Sequence, residues 1–453
     1  MLRTLPSTLC MLLATLSFVP QISAQSRQPY PHALTDELIH PKTPMLPPAK
    51  NLVVADPDFG SSLVRATDTS TNFLFPGTGF QTAGSGEKNE WSADTGKFYV
   101  IGTGGYDFVF AFNPVTMAIS SLPGATPGQG LILPLRPDPS FSFVDPDLIY
   151  GTSEPDTLTI MSYRFSTGVS APVIDTRTCG VQPPLGSGPS VVSDDDVTVS
   201  LDDTRISISE GGSQFGSDMF VVVYDKALGC RWYNTQTGQI GGQWGTTGAA
   251  TVTTPYFIRH AYLSRSGNYV VILVDWFGWY LWDLTTLNVR ACPNNTTHEC
   301  EGYMVVGYNS LVNGPGITGD IQTAKRPLGN IGHISQLVSS VPYDWSQQPH
   351  FTWSDVNAED TTPVCGSTYG YDGDIDEPYA QEIFCIETDE RASTIWRFAH
   401  NRATYIPPFF QTQPLGNVSR NGRFLLFTSD WDEQLGNAPD GTPLSDVFIV
   451  KLD

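Results

Sequence analysis

From residue 51 onward the apolar residues fall in short runs of β-branched and aromatic side chains, broken by turn residues every 8 to 12 positions or so. No stretch holds a 3.6-residue apolar period over three turns, so the pattern predicts strands rather than helices. One local unit recurs. Trp91-Ser92-Ala93-Asp94-Thr95-Gly96-Lys97-Phe98-Tyr99-Val100 reads as strand, tight turn, strand, and Leu263 to Val271 and Val418 to Leu426 repeat it. Ser200 to Ile208 is a copy without glycine. The Ser266-Gly267 and Asn421-Gly422 pairs supply the positive φ angles that tight hairpins need.

A further strand follows each hairpin and ends on a turn-forming residue: Phe108 to Asn113, Phe220 to Asp225, Trp279 to Asp283, Glu382 to Asp389 and Asp446 to Asp453. Units of three or four antiparallel strands, repeated at roughly 40 to 65 residues, are the sequence form of propeller blades. The expected fold is all-β, a single β-propeller of about seven blades over residues 51–453. Radial packing would cover sheet faces and edges that an isolated sheet leaves open. The uneven spacing places long insertions around Pro123 to Pro139 and Gly302 to Pro327. Tandem β-sandwiches are the alternative architecture, but no low-complexity break follows Asn51.

The N-terminus changes the picture. Arg3, an apolar run over Leu9 to Val19 and Ile22-Ser23-Ala24 give residues 1–24 the form of a signal peptide. Residues 25–50 are a Pro-rich leader, and no later run reaches the roughly 20 apolar residues of a membrane span. A secreted or periplasmic protein is expected. Six cysteines remain beyond Cys10, which suits disulfides in an exported chain, with chain neighbours as the first pairing to test. No Cys-x-x-Cys pair supports structural zinc. With 24 basic against 46 acidic residues the net charge is -22, which argues against nucleic acid as a partner and for a self-repelling monomer.

Asp56-Pro57-Asp58-Phe59-Gly60 with Leu63-Val64-Arg65-Ala66-Thr67-Asp68 resembles the opening strand of a group of exported bacterial β-propellers. Trp396-Arg397-Phe398-Ala399-His400 and Phe427-Thr428-Ser429-Asp430-Trp431 resemble the same group, and the hairpins are similar to TolB-type and WD40-like repeats. The resemblance implies a propeller. It implies no one reaction, because propellers include hydrolases, polysaccharide lyases and binding platforms.

Among candidate chemistry, Arg259 and His260 stand just before a clear strand, with Tyr262 two residues on and so on the same strand face as His260. Arginine to neutralise a uronate, and His or Tyr to move protons, are the groups β-elimination needs. His333, His350 and His400 each stand where a strand start would project them into the central funnel, as proton carriers or metal ligands. Asp372, Asp374, Asp376 and Glu377 gather hard oxygens in one loop and suggest a structural calcium ion. Trp276, Trp279 and Trp282 read as inter-blade core, and Asn294, Asn295 and Asn417 match glycosylation acceptors. The expected function is recognition of an extracellular polysaccharide or envelope component. Its enzymatic form is a uronic-acid polysaccharide lyase, and its alternative is a non-catalytic binding or scaffolding propeller.

Overall fold

One serine closes each of the four repeated hairpins. The hydroxyls of Ser92, Ser200, Ser264 and Ser419 accept from the N–H five residues on, at 2.8, 3.0, 3.1 and 3.0 Å. Each also meets the side chain two residues on: Asp94, Asp202, Ser266 and Asn421. The next residue takes a left-handed conformation, at φ 61° for Thr95, 58° for Asp203, 73° for Gly267 and 69° for Gly422. Two of the four turns therefore hold φ > 0 without glycine.

The computed structural model describes residues 29–453 apart from 85, 136–137, 154–155, 182–196, 213–215, 246–247, 252–253, 275–277, 293–303, 315–322, 339–346, 371–376, 390–393 and 405–411. The expected signal peptide lies outside the described residues. The strands form seven antiparallel sheets, the blades of a β-propeller. Blades one to six begin with inner strands Phe80–Gln81, Ser140–Phe141, Thr198–Val199, His260–Leu263, Met304–Val306 and Gln347–Thr352. The seventh begins with Gly416–Val418 and is completed from the N-terminus, where Ser62–Arg65 pairs with Asp446–Lys451 and Val53–Ala55 adds an edge. This exchange ties the two ends of the chain together and closes the ring.

Phe220–Asp225 and Trp279–Asp283 are third strands, as their patterns predict. Trp279 and Trp282 are buried in core clusters, while Trp276 lies outside the described residues. Gly302 to Pro327 is a correction: it holds three blade-five strands, Met304–Val306, Ser310–Asn313 and Ala324–Pro327, rather than an insertion. Its tight turn carries no carboxylate of its own. Asp360 of blade six accepts from the Tyr308 and Asn309 N–H groups at 2.6 and 2.8 Å instead.

Similar bonds pass from blade to blade around this end of the molecule. Phe143 N–H donates to Asp203, Leu201 N–H to the Arg265 carbonyl, and Arg265 N–H to the Gly307 carbonyl. Ser354 donates to Asn417 Oδ1, Trp91 Nε1 to the Asn417 carbonyl, and Phe141 N–H to the Asn89 carbonyl. Inside this ring the segment Gly86 to Asn89 fills the axis. A Glu87 carboxylate oxygen accepts from Val306 N–H of blade five, and Arg265 of blade four lies 3.4 Å from the other. Asn417 of blade seven donates to the Lys88 carbonyl, and Asn89 donates to the Phe141 carbonyl of blade two. All four of Glu87, Lys88, Asn89 and Arg265 are buried. Asn417 is fully buried here, which removes it as a glycan acceptor.

Cys179–Cys230 joins blades two and three, and Cys365–Cys385 joins adjacent strands of blade six, both pairs of chain neighbours. Cys292 is also disulfide-bonded.

The leader packs on the outside of blades six and seven. Tyr30 is buried edge-on against Trp396 and Phe398, and Leu34 bridges to Arg397. Arg397 makes a two-pronged pair with Glu382 and reaches Asp36 at 2.9 Å. Under the same strap sits His400, the last residue of the outer strand Ile395–His400, and not in the funnel. Its ring meets Phe59 edge-on at 5.0 Å, and Asp58 lies 3.7 Å away. Burial pushes its imidazole down to about 4.

These buried groups carry three expected outcomes. A Cβ at Gly86 would stand 1.8 Å from the Phe351 carbonyl oxygen, so Gly86→Ala is expected to cost more than about 4 kcal/mol in denaturant unfolding. Glu87→Gln leaves Arg265 buried without its counter-charge and is expected to cost about 3–5 kcal/mol. For His400, the unfolded chain takes up a proton near pH 6.5 and the folded protein only near 4. Folding is thus opposed increasingly as pH falls through that window, by up to about 3 kcal/mol. Asp430, raised to about 7 by burial and by Asp432 and Glu433, acts with the opposite sign. Comparison with His400→Gln isolates the histidine: the stability of the variant relative to wild type should rise by about 3 kcal/mol between pH 7 and 4. A flat difference would place His400 in water.

Candidate functional site at the open end of the channel

The axial segment and the tight turns fill the end of the channel where the inner strands finish. A ligand on the axis therefore enters at the other end, where the inner strands begin. His260 is the first residue of the blade-four inner strand and is half-buried. Strand alternation returns Tyr262 to the same face, and the two rings stack at 5.6 Å with 15° between planes. Arg259 extends the strand, its N–H donating to the Leu273 carbonyl at 2.9 Å. Ile258 before it bridges to Asp218 of blade three, so this mouth is braced from the neighbouring blade.

His350 lies on the inner strand of blade six, where its ring stacks on Tyr369 of the second strand at 5.2 Å and 28°. It is only 8 % exposed, and burial holds its imidazole down at about 3. A ring so placed is neutral at physiological pH and serves through hydrogen bonds and stacking rather than charge. The structure thus brings out two His–Tyr stacks, on blades four and six.

His333 departs from its expected place. It is exposed after the short helical turn Leu328–Asn330 and precedes Ser335–Gln336, the outermost strand of blade five. With His400 also on an outer strand, the three histidines His333, His350 and His400 do not meet, and the shared metal site expected of them is not formed. The physical reason is pairing order: His350 is on an inner strand, His333 precedes the exposed outermost strand of its blade, and His400 ends an outer strand that the leader covers. Asp372, Asp374 and Asp376 lie outside the described residues, whereas Glu377 is half-buried at the start of a turn. Among the described residues no group of three or more His, Cys, Asp or Glu side chains is placed to hold a metal ion.

Two features escaped the sequence. Tyr369 gains its role only through the diagonal pairing of two strands, which no local pattern reveals. The axial segment had a signal, the glycines flanking Ser85 ahead of Glu87, since such runs mark close backbone approach.

No protein-family model matches the chain, and no curated protein matches it in sequence. Solved structures do share its fold. An oligogalacturonate lyase in complex with manganese superposes with a TM-score of 0.51 at 12 % identity, over 93 % of this chain and 98 % of that one. The oligogalacturonate lyase of Vibrio parahaemolyticus gives 0.48 at 12 % identity, over 89 % and 98 %. The fold implied by the resemblance to exported propellers is therefore present, without a family model to support TolB-type or WD40-like descent.

Proposed function

We propose that the protein is a secreted or periplasmic propeller that binds carbohydrate at the open end of its channel and cleaves uronic-acid-containing glycans there by β-elimination. The observation that carries this reading is the run Arg259, His260, Tyr262 at the mouth of one inner strand, with the histidine half-buried and stacked. The disulfides Cys179–Cys230 and Cys365–Cys385, and no helix long and apolar enough to cross a membrane among the described residues, agree with export. The fold shared with an oligogalacturonate lyase adds support at the level of architecture.

In this proposal the Arg259 guanidinium neutralises the uronate carboxylate and acidifies the C–H bond beside it. The His260 imidazole removes that proton, a C=C bond forms between the two carbons as the glycosidic C–O bond breaks, and the departing sugar oxygen leaves as a hydroxyl with a proton returned by the imidazolium or by water. Tyr262 holds the imidazole plane. His350 and Tyr369 offer a neutral stacking and hydrogen-bonding wall. Every step is assigned to Arg259, His260 and Tyr262; among the described residues no three His, Cys, Asp or Glu side chains are grouped to hold a metal ion. Calcium is proposed only for the loop Asp372, Asp374, Asp376 and Glu377, in a structural role.

The test is the ultraviolet absorbance of an unsaturated uronate, followed with purified protein and a panel of uronic-acid polysaccharides. A rise is expected, with His260→Ala lowering kcat by at least about 100-fold and Arg259→Ala lowering kcat as well as raising KM. A folded protein that binds these glycans without any rise would leave the non-catalytic alternative. One that neither binds nor cleaves them would remove the carbohydrate reading altogether. For calcium, saturating ion is expected to add about 2–3 kcal/mol of stability, seen as a higher Tm that EDTA reverses and Asp374→Ala abolishes. A Tm indifferent to calcium would rule the loop out as a site.

A further inference from the structure

Away from the channel, a cavity of about 340 Å³ opens between blades two and three. Leu148, Val169, Val173 and the ring of Tyr150 form its apolar walls, and Arg164 and Lys226 stand at its rim. Its size falls at the lower end of the roughly 300–1,000 Å³ of small-molecule pockets, and apolar walls with few convergent polar groups are their usual lining.

The polar groups are arranged unequally. Arg164 is held by Asp145 and Asp147 at 2.9 and 3.2 Å, so its charge is already balanced. Among the described residues no carboxylate lies within ion-pair distance of Lys226, although acidic residues outnumber basic ones 46 to 24 in this chain. Its ammonium instead donates to Tyr150 Oη at 3.1 Å and lies over the Tyr150 ring. That phenol donates to buried Asp203 at 3.4 Å, and Asp203 is fixed by Ser142 and the Phe143 N–H. Burial and Asp203 raise the Tyr150 phenol above its ordinary range, so it stays a donor to Asp203 and an acceptor for Lys226. The lysine is thereby aimed by a relay that ends on the buried Asp203 carboxylate, which its charge stabilises, while the ammonium makes no direct ion pair among the described residues. One aimed cation beside an apolar wall matches one negative charge on an apolar body.

We propose that this inter-blade cavity is a binding site for a small carboxylate with an apolar or ring-shaped body. The site is separate from the channel mouth and does not depend on the lyase reading. The probes are benzoate, hexanoate and neutral benzyl alcohol, with binding to the full protein read by saturation-transfer NMR. Both carboxylates should bind and compete with one another, and benzyl alcohol should bind about tenfold more weakly. Lys226→Met should bring benzoate down to the level of the alcohol. Val173→Trp should fill the cavity and abolish both at an unchanged Tm, with Ala171→Leu used in its place if the tryptophan variant melts lower. The proposal is overturned if neither carboxylate binds, if Lys226→Met binds benzoate as wild type does, or if the folded cavity-filling variant keeps its affinity.

Discussion

The contact between Glu87 and Arg265 on the propeller axis is the constraint to which the rest of the structure answers. Seven sheets set around an axis leave a gap at its centre, and in this protein the chain itself fills one end of that gap. The filling is polar, which is costly unless every group is paired. Glu87 is therefore tied to blade five through Val306 and to blade four through Arg265, while the flanking backbone is tied to blades two and seven. A segment bonded to four blades at once also fixes how those blades sit relative to one another. The ring of turn-to-turn bonds around it does the same work in the backbone. Closing this end leaves the opposite mouth as the place where the channel can accept a ligand.

Closure of the ring itself rests on a different device. The seventh blade takes its outer strands from residues 53–65 and its inner three from the C-terminus, so neither end can fray without opening the sheet. The leader continues outward from that seam, and Arg397 is the clasp: its guanidinium bonds Glu382 with two nitrogens and the strap with the third. Cys179–Cys230 and Cys365–Cys385 lie elsewhere, across the blade two–three boundary and within blade six. Covalent and non-covalent ties thus hold different seams.

The hairpins were legible because each carries its whole turn chemistry within six residues, a serine, a short polar side chain and a residue able to take positive φ. Blade five was not, because its turn borrows the carboxylate of Asp360, 51 residues beyond Asn309 in the chain. The same limit explains the histidines. His260 and His350 are on inner strands and His400 on an outer one, yet all three sit in apolar runs with identical alternation, and nothing local separates the axis from the rim. His333 followed a glycine and read as a strand start, but the strand it precedes is the last of its blade. Pairing order, which the sequence does not state, decides which end of a strand a ligand can see.

Burial then sorts the residues that do reach the channel. His350 is so enclosed that its imidazole stays neutral far below physiological pH, which unsuits it to exchanging protons with a substrate. His260 is only half-buried and keeps contact with solvent at the mouth. Its neighbour Arg259 must work against the protein as a whole, since a chain of net charge -22 repels any polyanion at long range. Beyond roughly 8–10 Å that repulsion is screened at physiological salt. In the proposed lyase reading, recognition of a uronate by Arg259 would therefore be a matter of the last few ångströms, set by the geometry of the mouth more than by electrostatic steering.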